Sequence, residues 1–131
     1  MNRVEIVLVV PDSLEALNLY EKIFDIERID ATNFSKGENE AIFAIGDVVF
    51  HLLDENPEYR LIAPKLDAPK TSWVNVVVED IHIKHAMAIE LGCKEMLPVT
   101  ESRDVGMYNS VFMDPFGYVW MLHQNAFGAI Y

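Results

Sequence analysis

The chain repeats itself at an interval of about 70 residues, and this constrains its fold more than any other feature. Val10-Pro11-Asp12 is answered 68 residues later by Val78-Glu79-Asp80, and Phe50-His51-Leu52 is answered 70 residues later by Trp120-Met121-Leu122. Each half reads as a strand, a helix and then three strands. A unit of this size exposes too much sheet to stand alone, so the two must pair with each other or with a second chain. The expectation is an α+β protein of two tandem βαβββ modules within one domain over residues 1–131: module one about 1–54, a linker at 55–72, and module two about 73–124.

The local patterns support that order. Val4, Ile6, Leu8 and Val10 alternate with Arg3, Glu5, Val7 and Val9, predicting an opening strand with one aliphatic face for helices to cover. Asp12 and Glu15 have capping-box spacing, although Ser13 is an alternative cap, and Leu14, Leu17 and Phe24 follow at helical spacing. Strands are expected at about 26–33, 40–45 and 48–53, the last two separated by Gly46-Asp47. The stretch 54–72 holds Pro57, Pro64 and Pro69 without a sustained period, which reads as a surface linker.

In module two, Trp73 to Glu79 alternates again with Val74, Val76 and Val78 on one face. Asp80 opens a helix that Gly92 closes in the manner of a left-handed cap. Strands are expected at about 94–99, 107–113 and 118–123, with Asp114-Pro115-Phe116-Gly117 turning the chain between the last two.

With 51% hydrophobic and 24% charged residues, the composition is that of a globular protein rather than a disordered or fibrous one. No apolar run approaches the roughly 20 residues of a membrane span. Pro11 and Asp12 interrupt the first apolar run too early for a signal peptide, so the expected location is cytoplasmic. A net charge of −11 repels phosphate backbones and anionic lipid, which argues against nucleic-acid and membrane partners. That charge serves solubility, or alternatively draws a cationic ligand into an acidic groove. The single Cys93 has no partner for an internal disulfide and reads as a small buried hydrophobe.

Val9-Val10-Pro11-Asp12 followed by Leu17-Asn18-Leu19-Tyr20-Glu21, together with Asp114-Pro115-Phe116-Gly117-Tyr118-Val119-Trp120, resembles the vicinal oxygen chelate superfamily, which groups glyoxalases, bleomycin-resistance proteins and dioxygenases. Within it the chain resembles the PhnB-like branch. The resemblance implies a half-open, barrel-like cup of mostly antiparallel sheet whose concave face wraps a small-molecule ligand. It also implies metal-ligand positions on the first and last strands of each module, which fall here on Glu5, His51, Trp73 and Met121. Trp73 cannot coordinate and Met121 suits only soft ions, so no metal cofactor is expected, an unorthodox divalent-metal site being the alternative.

Alternation places Glu5, Val7 and Val9 with Val49, His51 and Leu53 on one face of module one. Trp73, Asn75 and Val77 join Val119, Met121 and His123 on the matching face of module two. The expected ligand-binding residues are Glu5, Val7, His51, Trp73, Asn75, Met121 and His123, with Glu5 and His51 the candidate catalytic pair. Taken singly, each is equally readable as a surface or core residue. His82 and His85, three apart, are read as an exposed helix face in preference to a metal pair. Arg103, Gly106 and Tyr108 belong to a segment that either closes over a pocket or is an ordinary loop, and the aromatic ending at 127–131 either covers a sheet edge, docks on a partner or frays.

Three functions remain open. One is a metal-independent binder of a cationic or aromatic compound, acting as a homodimer that covers exposed strand edges. Another is an enzyme, either a metal-dependent lyase or transferase of the glyoxalase type or a metal-free acid/base catalyst using Glu5 and His51. The third is an interaction subunit without a substrate.

Overall fold

The structure is a computed structural model that describes residues 1–102 and 106–125. It divides into two compact units, Met1–Pro64 and Lys65–Tyr131. Arg103 and the ending 127–131 lie outside the described residues.

The first unit runs β1 (Glu5–Val10), α1 (Ser13–Ile23), β2 (Glu27–Ala31), β3 (Glu40–Ile45) and β4 (Val48–Asp54). Its sheet has the order β1-β4-β3-β2, with β1 parallel to β4 and the other pairs antiparallel. A parallel pair needs a crossover, and α1 with β2 and β3 supplies the intervening chain. Asp12 is the cap that starts α1: its carboxylate accepts the Leu14 and Glu15 N–H groups, satisfying donors that the first helical turn leaves open. Ser13 is the first helical residue rather than the cap.

One face of α1 buries Ala16, Leu17, Tyr20 and Ile23. These meet the alternate residues of the sheet, among them Leu8, Val10, Phe43, Phe50 and Leu52, all buried. Phe43 and Phe50 stack at 5.1 Å across β3 and β4, and Tyr20 packs on Phe43 at 5.7 Å. Each such side chain taken out of water contributes about 1.5 to 3 kcal/mol before its ordering entropy is counted. Val4 stays outside this core: it precedes β1 and is 81% exposed, so the aliphatic face begins at Ile6.

The second unit repeats the plan with β5 (Val74–Val77), α2 (Ile81–Glu90), β6 (Lys94–Ser102), β7 (Met107–Met113) and β8 (Val119–Gln124), in the order β5-β8-β7-β6. Here β5 is parallel to β8 and the remaining pairs are antiparallel. Asp80 caps α2 by accepting the Ile83 N–H. The helix ends in a Schellman arrangement, with Cys93 N–H donating to Ala88 C=O and Gly92 N–H to Ile89 C=O. Gly92 takes the φ of +105° that this stop requires.

Within the expected linker, Asn56 caps a 3-10 turn at Pro57–Tyr59 and pairs with Leu61. Two expectations need correction. The fifth strand is shorter than the alternation of Trp73 to Glu79 implied, and Trp73 lies just before it. His82 is exposed and meets the ring of Tyr108 edge-on at 5.5 Å, whereas His85 is buried, because its turn position aligns with Ile81 and Ala88 on the sheet-facing side. Among the described residues no helix is long and apolar enough to cross a membrane.

Candidate functional site

The faces turned away from the helices hold most of the expected site residues. In module one, register pairs Val7 with His51 and His51 with Ile42, so His51 stands at the middle of the open face. Glu5 and Glu40 are its diagonal neighbours, each two residues from a paired position and on the same side of the pleat. His51 Nδ1 lies 3.6 Å from Glu5 Oε2, and His51 Nε2 lies 3.5 Å from Glu40 Oε2. Arg3 reaches the other oxygen of Glu5 at 3.1 Å. The imidazole is thus held between two carboxylates at ion-pair distance, longer than the 2.6 to 3.2 Å, roughly, of a working proton transfer. Val7 contributes an exposed aliphatic patch beside it.

Glu40 was not among the expected site residues. Its signal was present: alternation through Glu40–Ile45 puts Glu40 on the face of Ile42, opposite to that of Phe43.

In module two, Asn75 pairs with Met121 and Val77 with His123, so the alternation places these residues as expected. Asn75 is exposed, and Met121 is half-buried beside Val111 on β7. His123 is committed elsewhere: Nδ1 contacts Asn109 Oδ1 at 2.7 Å and Nε2 contacts Asn125 Oδ1 at 2.6 Å. A neutral ring would require one of these asparagines to turn its amide N–H toward it.

Trp73 belongs to a groove of about 520 Å³ in this unit. Its floor is the open sheet face at Val111, Met113 and Val119, and one wall is the segment from Leu66 to Lys70. Lys94 and Met96 of β6 complete the lining. Register shifts between Glu95 and Leu97, a bulge that leaves Met96 out of the ladder. Trp73 is 53% exposed, an indole held at a groove rather than in a core. Asn75, Met121 and His123 do not line this groove, which forms where the 66–70 segment rises over the sheet.

A zinc, nickel, iron or manganese centre takes three or four N, O or S donors around one point. In module one the two carboxylates approach opposite nitrogens of His51, so they do not converge with it on a single ion. The related positions of module two hold Trp73 and Met121. Among the described residues no group of three His, Cys, Asp or Glu is placed to hold a metal ion. The donor set does not fit a dedicated catalytic metal.

Two βαβββ modules in tandem, each with an open sheet face opposite its helix, define the class of α+β protein to which the chain belongs. The family model of the Glyoxalase/Bleomycin resistance protein/Dioxygenase superfamily matches residues 2–122, and the chain belongs to that superfamily. Among solved structures it is similar to the fosfomycin resistance protein FosX from Listeria monocytogenes, at 15% identity and a TM-score of 0.72 over 97% of this chain and 95% of that one. FosX from Mesorhizobium loti aligns at 18% identity with a TM-score of 0.67, covering 96% and 93% of the two chains. TioX from Micromonospora sp. ML1 aligns at 14% identity with a TM-score of 0.67, covering 98% and 100%. A comparison with curated proteins finds no match. At these identities the likeness is one of fold, which hosts many chemistries.

Proposed function

We propose that the chain is a metal-independent small-molecule-binding protein of the glyoxalase/bleomycin-resistance type, whose module-two groove receives a compound with a flat apolar or aromatic body. The observation that carries this reading is the groove of about 520 Å³ with the exposed indole of Trp73 on its wall and thioethers from Met96 and Met113 beside it. That volume suits a drug-sized molecule, and an exposed aromatic ring with adaptable methionines is an arrangement for stacking. The Asp114-Pro115-Phe116-Gly117 turn supports the superfamily, and the PhnB-like branch within it is proposed on resemblance alone. Exposed edge strands β2 and β6 support a homodimer, which light scattering at micromolar concentration tests, and the acidic composition argues against nucleic-acid partners.

The test is titration with the neutral aromatic N-phenyl-1-naphthylamine. Saturable probe fluorescence and a raised melting temperature are expected, since binding to the folded state stabilises it. Trp73→Ala is expected to weaken the probe by about 1 to 3 kcal/mol. Binding unaltered by this substitution ends the reading.

A second reading rests on His51 between Glu5 and Glu40. An imidazole backed by carboxylates is a metal-free acid/base unit. Ring opening of 5-nitrobenzisoxazole, a general carbon acid, is expected to show saturable catalysis lost in His51→Gln. A rate no higher than that of buffer removes the reading.

A further inference from the structure

We infer that the ligand of the module-two groove is an amphipathic organic anion, with its flat body against Trp73 and an acidic group, carboxylate, sulfonate or phosphonate, at Lys94. The inference rests on the proposed function of that groove and adds the charge of its occupant. A protein of net charge −11 would be expected to collect cations. The groove runs against that expectation, because its charged residues are Lys70 and Lys94 against the single carboxylate of Asp67. Distant carboxylates are screened over a Debye length of about 8 to 10 Å at ordinary salt, so the local set decides what binds.

The two lysines differ. Lys70 already donates from Nζ to the Lys65 carbonyl, which ties its head to the backbone of the wall segment. Lys94 forms no salt bridge or hydrogen bond from its side chain among the described residues. It opens β6 opposite Met113, whose side chain lies on the groove floor, so Lys94 shares that face and is exposed, a position from which a lysine can lay its stem on apolar surface and keep its ammonium toward water. An ammonium at the edge of an apolar slot, unpaired, complements a ligand acid at one end of an aromatic body. Asp67, on the 66–70 wall, repels that acid and so favours the pose that places it at Lys94.

The experiment compares two probes with the same rings: 1-anilinonaphthalene-8-sulfonate, which carries the acid, and N-phenyl-1-naphthylamine, which lacks it. With wild-type protein the sulfonate is expected to bind about three- to tenfold more tightly, with the advantage shrinking between about 0.05 and 0.5 M salt. Lys94→Gln should cost the sulfonate several-fold more affinity than it costs the neutral probe and so remove the advantage, while Lys94→Glu should reverse it. Circular dichroism checks that both variants fold, and Lys70→Gln serves as a second variant with a smaller expected loss. If both probes bind equally, or if 9-aminoacridine as a cationic probe is preferred and loses affinity in Asp67→Asn, the anion assignment is overturned while the groove remains a ligand site. If no probe binds, the groove reading itself has failed.

Discussion

The carboxylate of Asp54 accepts the backbone N–H of Ser13 at 2.7 Å, joining residues 41 apart in sequence and locking the end of β4 to the start of α1. The repeat reproduces the device. Gln124, at the end of β8, accepts the Ile81 N–H at the start of α2 at 2.9 Å. In each module a last-strand side chain thus satisfies a helix-start donor that would otherwise be left open.

Asp54 does more than its counterpart, because its second oxygen also accepts the N–H groups of Gly37 and Asn39. Asp54→Asn places an amide against these donors and is expected to cost about 3 kcal/mol in urea unfolding, against about 1 kcal/mol for Gln124→Ala. Burial pushes the Asp54 carboxyl up, yet hydrogen bonds from Ser13, Asn39 and Gly37 outweigh it and hold the group below its ordinary value of 3.8. The unfolded chain therefore takes up this proton first. The stabilisation is present above the ordinary carboxylate value and is lost as pH falls from there through the lower folded value. Unfolding midpoints between pH 7 and 3 should fall less steeply in Asp54→Asn than in the wild type; parallel slopes would contradict this.

Cys93 is buried, and burial first, then the charge of Asp114, pushes its thiol up to about 12 from 9.0. A raised folded value means that the native state holds the proton longer, so stability should decline between about pH 9 and pH 12. At pH 8 the thiol is expected to resist iodoacetamide in the native state and react in urea, and Cys93→Ala should flatten the alkaline decline. Rapid native labelling would refute the burial argument.

His85 is the corresponding case on the acid side. Burial lowers its value from 6.5, and Glu95 at 3.8 Å only partly restores it, while neither ring nitrogen has a hydrogen-bond partner among the described residues. The unfolded chain is protonated first, so stability should fall as pH drops below about 6.5. His85→Leu, similar in volume and free of that proton, is expected to match or slightly exceed wild-type stability at pH 7.5 and to gain further at pH 5.5. A constant difference at the two values would remove burial of the imidazole as the cause.

Repeats and alternation made most of the fold readable because they express steric rules that act locally: Asp12 and Asp80 cap helices, Gly92 permits a left-handed stop, and period two sorts His51 and Met121 to one side of a pleat. The groove was less readable for physical reasons. Its wall from Leu66 to Lys70 has no periodicity to announce contact with a sheet, so the alternation that puts Lys94 and Met96 on one face of β6 gives no sign of the wall that turns that face into a groove. The repeat points to Trp73, which lines the groove, whereas His123, sorted by the same alternation, is held by Asn109 and Asn125, which the strand pattern does not reveal.

The turn between β7 and β8 connects core to groove and yields the last prediction. Asp114, 1% exposed, accepts the Phe116 and Tyr118 N–H groups on one oxygen and the Trp120 Nε1–H on the other at 2.8 Å. One buried carboxylate therefore ties the turn to the largest core side chain, and Met113 and Val119, which flank the turn, floor the groove. Trp120→Phe removes the indole donor and some core volume, and should cost about 2 to 4 kcal/mol while leaving the turn bonded. Asp114→Ala should cost at least as much and loosen Met113 and Val119, so probe affinity in the groove falls as well. The pair Trp120→Phe and Asp114→Ala, combined, should be less destabilising than the sum of the two, a coupling of about 1 to 3 kcal/mol measured by a double-mutant cycle in urea. Additive losses, or full probe affinity in Asp114→Ala at a temperature where it is folded, would separate the turn from the groove and refute the connection.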